Sequence, residues 1–172
     1  MNLLRSAIFA LLLVAFCSVS FAQGKPKMNE QIDYPYKAAY SSHFKIGKPE
    51  YSKMILDMWK DWDDNKLDRH DYMADTVKLF FPDGNIADGK TAAMEDAVKY
   101  RNTFTTVTSI IHAWVPLKSL DTNDDVVCVW GQETDTYPDG KVEKKDLHEV
   151  WWINKDGKIS RLRQWAAQFG EQ

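Results

Sequence analysis

The chain has 172 residues, 44% of them hydrophobic, with seven tryptophans and a formal charge of −3. That length is one domain's worth, and its apolar content suffices for a core without cross-links. Mild acidity of mixed sign argues against a nucleic-acid partner, and two cysteines, Cys17 and Cys128, exclude a disulfide-stapled scaffold.

Residues 1–22 read as an export signal. Arg5 supplies the positive start, Ala7 to Phe16 is an unbroken apolar run, and Ser20-Phe21-Ala22 carries small residues where a signal peptidase reads. The run falls short of the ~20 apolar residues that span a bilayer. Phe16 before Cys17 speaks against a lipoprotein. Cleavage after Ala22 implies a secreted or periplasmic protein with Cys128 as its lone thiol, and it moves the net charge from −3 to −4, because Arg5 is the only charge removed.

Residues 23–48 are polar and Lys-rich and read as a linker that becomes an N-terminal arm. Tyr34, Tyr36, Tyr40, Phe44 and Ile46 make its later part apolar enough to lie against the domain. From Pro49, Met54, Ile55, Met58, Trp59 and Trp62 recur at helical spacing opposite Asp57, Lys60, Asp61 and Asp64, predicting an amphipathic helix that stops near Asn65. A short second helix is expected over 69–74. A strand with Val77, Leu79 and Phe81 on one face should follow, up to Pro82-Asp83-Gly84, and then a third helix capped by Thr91 and running to about Phe104. Beyond Thr105 the period becomes two. Strands are predicted over 107–120, 126–137, 142–153 and 159–169, joined by turns at Thr122-Asn123-Asp124, Pro138-Asp139-Gly140 and Lys155-Asp156-Gly157. Helices first and a strand meander afterwards define an α+β domain over 49–170.

This order resembles the nuclear transport factor 2-like, or SnoaL-like, superfamily. The residues that carry the resemblance are the Trp-rich helix ending in Asp63-Asp64-Asn65, the strand closing on Pro82-Asp83-Gly84, the Asp88-Gly89-Lys90 start of the third helix, and the stretch from Glu149-Val150-Trp151-Trp152 through Lys155-Asp156-Gly157 to Arg161-Leu162-Arg163. It spans about Phe44 to Gln168. It implies a cone in which N-terminal helices pack on a curved antiparallel sheet around an apolar pocket, with the outer sheet face often forming a dimer. An exported SnoaL-like subgroup shares the Trp-Lys-Asp-Trp-Asp-Asp-Asn helix and the His-Glu-hydrophobic-Trp strand, here Trp59 to Asn65 and His148 to Trp151.

Glu149 is the leading titratable candidate. Eight residues back from Gly157, it falls where the resemblance places the oxyanion-binding acid of ketosteroid isomerases. Alternation puts Leu147, Trp151 and Ile153 on its face, so its carboxyl group should be desolvated, with a raised pKa. The other machinery that the resemblance implies is absent. The isomerase base position holds Phe81, its phenolic donor maps near Met58, and the cyclase acid position holds Ala166 or Ala167. His112 and His148 lack ligand-spaced His or Cys neighbours, so no metal is called for. Asp61, Asp63 and Asn65 start like a calcium loop that Lys66 and Tyr72 do not complete.

The reading is therefore an exported, non-catalytic domain that binds an apolar or aromatic small molecule without a cofactor. Its pocket would be lined by Phe81, His112, Trp114, Glu149, Trp151, Leu162 and Gln164. The alternatives are an isomerase, cyclase or hydrolase using Glu149, and an interaction module with a filled core. A homodimer through Trp130, His148, Val150 and Trp152 is expected. The facing of Trp130 depends on the Pro138-Asp139-Gly140 turn: a two-residue loop pairs Trp130 with Glu149, and a three-residue loop, which Pro138 favours, turns Trp130 outward.

Overall fold

The structure, a computed structural model, describes residues 32–168; the segment read as an export signal, Cys17 and the start of the segment read as an arm lie outside them. Residues 32–37 belong to a first unit and form no helix or strand, while the chain from Ala38 onward forms the domain. The domain begins with a short strand, β1 (Phe44–Ile46), so the sheet starts inside the segment read as an arm.

Helix α1 (Pro49–Asp63) has Pro at its first turn and no side-chain cap. Met54, Ile55 and Trp59 form its buried face, and Asn65 leaves it with a φ of 52°. The chain then turns and enters β2 (Met73–Phe80) directly, so the helix expected over 69–74 does not form. A parallel partner replaces it: Met73 aligns with Ile159, and Leu79 with Leu162. Strand β3 (Ile86–Asp88) leads into α2 (Lys90–Arg101). Thr91 is not its cap. Gly89 precedes the helix at a φ of 93° and donates its N–H to Val77 O at 2.8 Å, so the hand-over from the sheet sets where the helix starts.

Four long strands complete the fold: β4 (Thr106–Ser119), β5 (Asp125–Thr136), β6 (Val142–Ile153) and β7 (Ile159–Gln168). The seven strands lie in the order β1-β4-β5-β6-β7-β2-β3. Every pairing is antiparallel except β2 with β7, so the sheet is mixed rather than antiparallel throughout. Among the described residues two helices, not the three expected, pack on the sheet. The β5–β6 loop is the three-residue form. Tyr137 N–H donates to Lys141 O at 2.8 Å, and Gly140 takes the left-handed conformation that closes such a loop, at a φ of 87°. This register pairs Val129 with Glu149 and sends Trp130 to the outer face beside His148.

The core joins Met54, Ile55 and Trp59 of α1 to Val77, Leu79, Val127, Val129, Leu147, Trp151, Ile153 and Leu162. Each such side chain contributes roughly 1.5–3 kcal/mol by leaving water. Gly131 lets α1 approach: a Cβ there would lie 3.0 Å from Trp59 Cη2 and 3.0 Å from Ile110 O. Among the described residues no helix is long and apolar enough to cross a membrane.

Candidate functional site

On the inner face, one row of paired residues crosses four strands: Trp114, Val129, Glu149 and Gln164. Glu149 is only 4% exposed. Its Oε2 accepts from two indole N–H groups, Trp59 at 2.7 Å and Trp151 at 2.9 Å, and its Oε1 accepts from the Gln164 amide at 2.7 Å. The position of Trp59 follows from Gly131, and that of Trp151 from the two-residue period of β6. Burial pushes the Glu149 pKa up, against the downward pull of Gln164, Trp151 and Trp59. None of the three partners can take a proton. The carboxylate is held, not poised to exchange with a base.

The other anticipated residues divide by face. Trp151 and Leu162 are buried in the core beneath Glu149. Phe81 is half-buried against the same core. Gln164 is half-buried, and Ala166, which shares its face and pairs with core residue Leu147, is exposed. The inner face is thus partly uncovered along β7. Trp114 also lies in the inner row but is 51% exposed. His112 does not join them. It sits on a β-bulge between Ile111 and Ala113, exposed, and borders the outer-face groove.

That outer face carries a ladder of rings. Trp130 stacks on His148 at 4.9 Å and His148 on Trp165 at 5.3 Å. They border an open groove of about 330 Å³, together with His112, Asp146, Leu147, Ala166 and Ala167. Farther along the face Trp152 is covered: Tyr40 meets it edge-on at 6.1 Å, and the Arg161 guanidinium lies 5.5 Å from its ring centre. Asp121 pins the covering segment by accepting from the backbone N–H groups of Ser42 and His43, and these bonds hold its carboxyl far below the usual range.

Two buried polar groups escaped the sequence reading. Arg101 donates to Trp62 O, Asp63 O and Phe104 O, fastening α2 to the last turn of α1. Glu133 and Asp135, on the inner face of β5, share the ammonium of Lys145 at 2.7 and 2.8 Å. Once Val129 faces inward, alternation brings both acids inward with it. Among the described residues no cluster of His, Cys, Asp or Glu could hold a metal ion.

No family model matches the chain, and no curated protein does. Solved structures do. A candidate SnoaL-like polyketide cyclase from Jannaschia sp. CCS1 is 12% identical, with a TM-score of 0.56 over 77% of this chain and 91% of that one. SalBIII, an epoxide hydrolase/cyclase-like enzyme of pyran ring formation in the polyether salinomycin, is 14% identical, with a TM-score of 0.54 over 69% and 92%. A nuclear transport factor 2-like protein of unknown function from Exiguobacterium sp. 255-15 is 18% identical, with a TM-score of 0.53 over 66% and 98%. At these identities the likeness is one of fold. The chain has the nuclear transport factor 2-like fold, which SnoaL-like proteins share.

Proposed function

We propose that the protein is an exported, non-catalytic domain that binds an apolar or aromatic small molecule on the inner face of its sheet. The ligand enters beside Phe81, Gln164 and Ala166, and Gln164, backed by Glu149, supplies the polar contact that orients it. The observation that carries this reading is the coordination of Glu149. Three donors and no proton acceptor surround the one acid that the resemblance singles out, an arrangement that fixes an amide in place and gives general acid–base chemistry no partner. Phe81, Ala166 and Ala167, where related enzymes carry acids or bases, support the same conclusion.

Native mass spectrometry of protein purified from its own host tests the proposal. The expected spectrum shows the chain from about Gln23 plus one small molecule that is lost on denaturation. Bare polypeptide alone would contradict ligand binding, and a soluble chain still beginning at Met1 would contradict export. A second reading, an interaction module working through the outer face, draws on the Trp130–His148–Trp165 ladder. The same ladder supports a homodimer through this face. Trp165 joins Trp130, His148 and Val150 in it, and Tyr40 shields Trp152.

A further inference from the structure

Two carboxylates and one ammonium are enclosed together at the Tyr100 end of the inner face. Asp135 is 0% exposed and Glu133 5%. Lys145 Nζ reaches Glu133 Oε1 at 2.7 Å and Asp135 Oδ2 at 2.8 Å. Asp135 Oδ1 is buried and meets no donor, while both carboxyl groups crowd the same ammonium. With both acids ionised, the cluster would bury one uncompensated negative charge and leave a carboxylate oxygen unsatisfied, and both states are costly. A single proton on Glu133, donated to Asp135, removes both costs. We propose that Glu133, Asp135 and Lys145 form a proton-operated latch: one proton held between the carboxylates keeps the end of α2 closed on the sheet, and its loss loosens that end.

The surroundings make α2 the part that responds. Lys145 Nζ lies 5.5 Å from the Tyr100 ring centre and 5.8 Å from that of Phe104. Phe104 packs edge-on against Tyr100 and against Tyr137, at 5.0 Å each, so the aromatic cover comes from the end of α2 and the segments beside it. The other groups facing the cluster do not neutralise a new charge. Asp63 of α1 is occupied by Ser109 of β4, to which it pairs at 2.7 Å. Arg101 of α2 spends its donors on carbonyl oxygens. Glu143 of β6, paired across from Asp135, is held by Lys141 and by the Tyr137 hydroxyl. On β4, Val107 pairs with Asp135 and Ser109 with Glu133, and Gln168 of β7 pairs with Lys145; all three are uncharged. A second negative charge would therefore draw in water, and the half-exposed Tyr100 marks the thinnest cover. Burial supports the same proton count, pushing Glu133 up to about 7 against the downward pull of Lys145.

The test combines a carbon-13 titration of the assigned Glu133 carboxyl group with amide hydrogen exchange, both on the full mature chain. The expected result is a Glu133 midpoint well above its ordinary 4.5. Protection at Asn102 and Phe104, whose N–H groups bond Val98 O and Arg101 O, should fall by roughly tenfold or more as that proton leaves, after correction for intrinsic exchange. Glu133→Gln, which keeps a donor toward Asp135, should make protection independent of pH. Asp135→Asn should lower the Glu133 midpoint. A wild-type Glu133 that titrates near 4.5 overturns the proposal, as does the same pH-dependent loss of protection in Glu133→Gln. If neither variant folds, the wild-type titration and exchange decide between the outcomes by themselves.

Discussion

Replacing Glu149 in two ways separates the value of its hydrogen bonds from the cost of its charge. Glu149→Leu keeps most of the volume but removes the acceptor for Trp59, Trp151 and Gln164. Gln164 is half-buried and can turn toward water, whereas both indoles are buried. Two orphaned donors cost about 2–6 kcal/mol, offset by about 2 kcal/mol from the added apolar burial and by release of a buried charge. The net expectation is a loss of about 2 kcal/mol. Glu149→Gln retains an oxygen for the two indoles, and its amide can donate to Gln164 once that side chain flips. The weaker neutral bonds are then balanced by the vanished desolvation cost, so stability should stay within about 1 kcal/mol of wild type. Urea unfolding of the three proteins measures this, with unchanged m-values confirming a common unfolded state. The pH dependence has a defined sign. Burial raises Glu149 in the folded state, so the folded chain binds this proton more tightly than the unfolded chain does. Its contribution to stability is full below the ordinary 4.5 and is lost as pH rises from there through the raised folded value. Glu149→Gln should remove that component. A Gln variant as damaged as the Leu variant would refute the reasoning, because the negative charge itself would then be required.

Other positions give equally direct expectations. Gly131→Ala should cost about 1–3 kcal/mol by overpacking, since its methyl group would meet Trp59 Cζ3 at 3.1 Å and Ile110 O at 3.0 Å; thermal unfolding reads the loss. Arg101→Met should destabilise by about 3 kcal/mol or more, because three carbonyl oxygens lose charge-assisted donors, and the loss should persist in high salt because these bonds are buried. If the outer-face ladder forms a dimer, wild type should sediment as a dimer at micromolar concentration and Trp165→Glu as a monomer, whereas a monomeric wild type would end the dimer proposal.

How far the sequence carried the fold depended on the range of the interaction involved. The β6 bounds 142–153 and the loop at Pro138-Asp139-Gly140 were legible because alternation and turn chemistry are local. The start of β2 at Met73 was not, because a parallel partner some ninety residues away holds it there. The resemblance marked the start of α2 at Asp88-Gly89-Lys90, but capping chemistry alone pointed to Thr91, because Gly89 takes its conformation while bonded to Val77 of β2. At the site, the period of β6 was enough to turn Glu149 and Trp151 inward together. That Trp59 would reach Glu149 was hidden in a helix face that read as core, and it depends on the missing side chain at Gly131. Glu133 and Asp135 stayed out of view because the facing of β5 rested on one loop, and with it the facing of every residue on the strand. The facing of His112 was not legible, because a bulge breaks the alternation of β4 at that residue.

The central claim is an inner-face ligand beside Gln164. Its most direct test is to titrate the isotopically labelled protein with the small-molecule fraction of its own host, following the assigned amide and indole N–H signals by NMR. The account predicts that the Gln164 side-chain amide and the Phe81 backbone amide shift first, that the Trp59 and Trp151 indoles follow, and that Trp130 and Trp165 stay still. Shifts confined to Trp130, His148 and Trp165, or none at all, would contradict it.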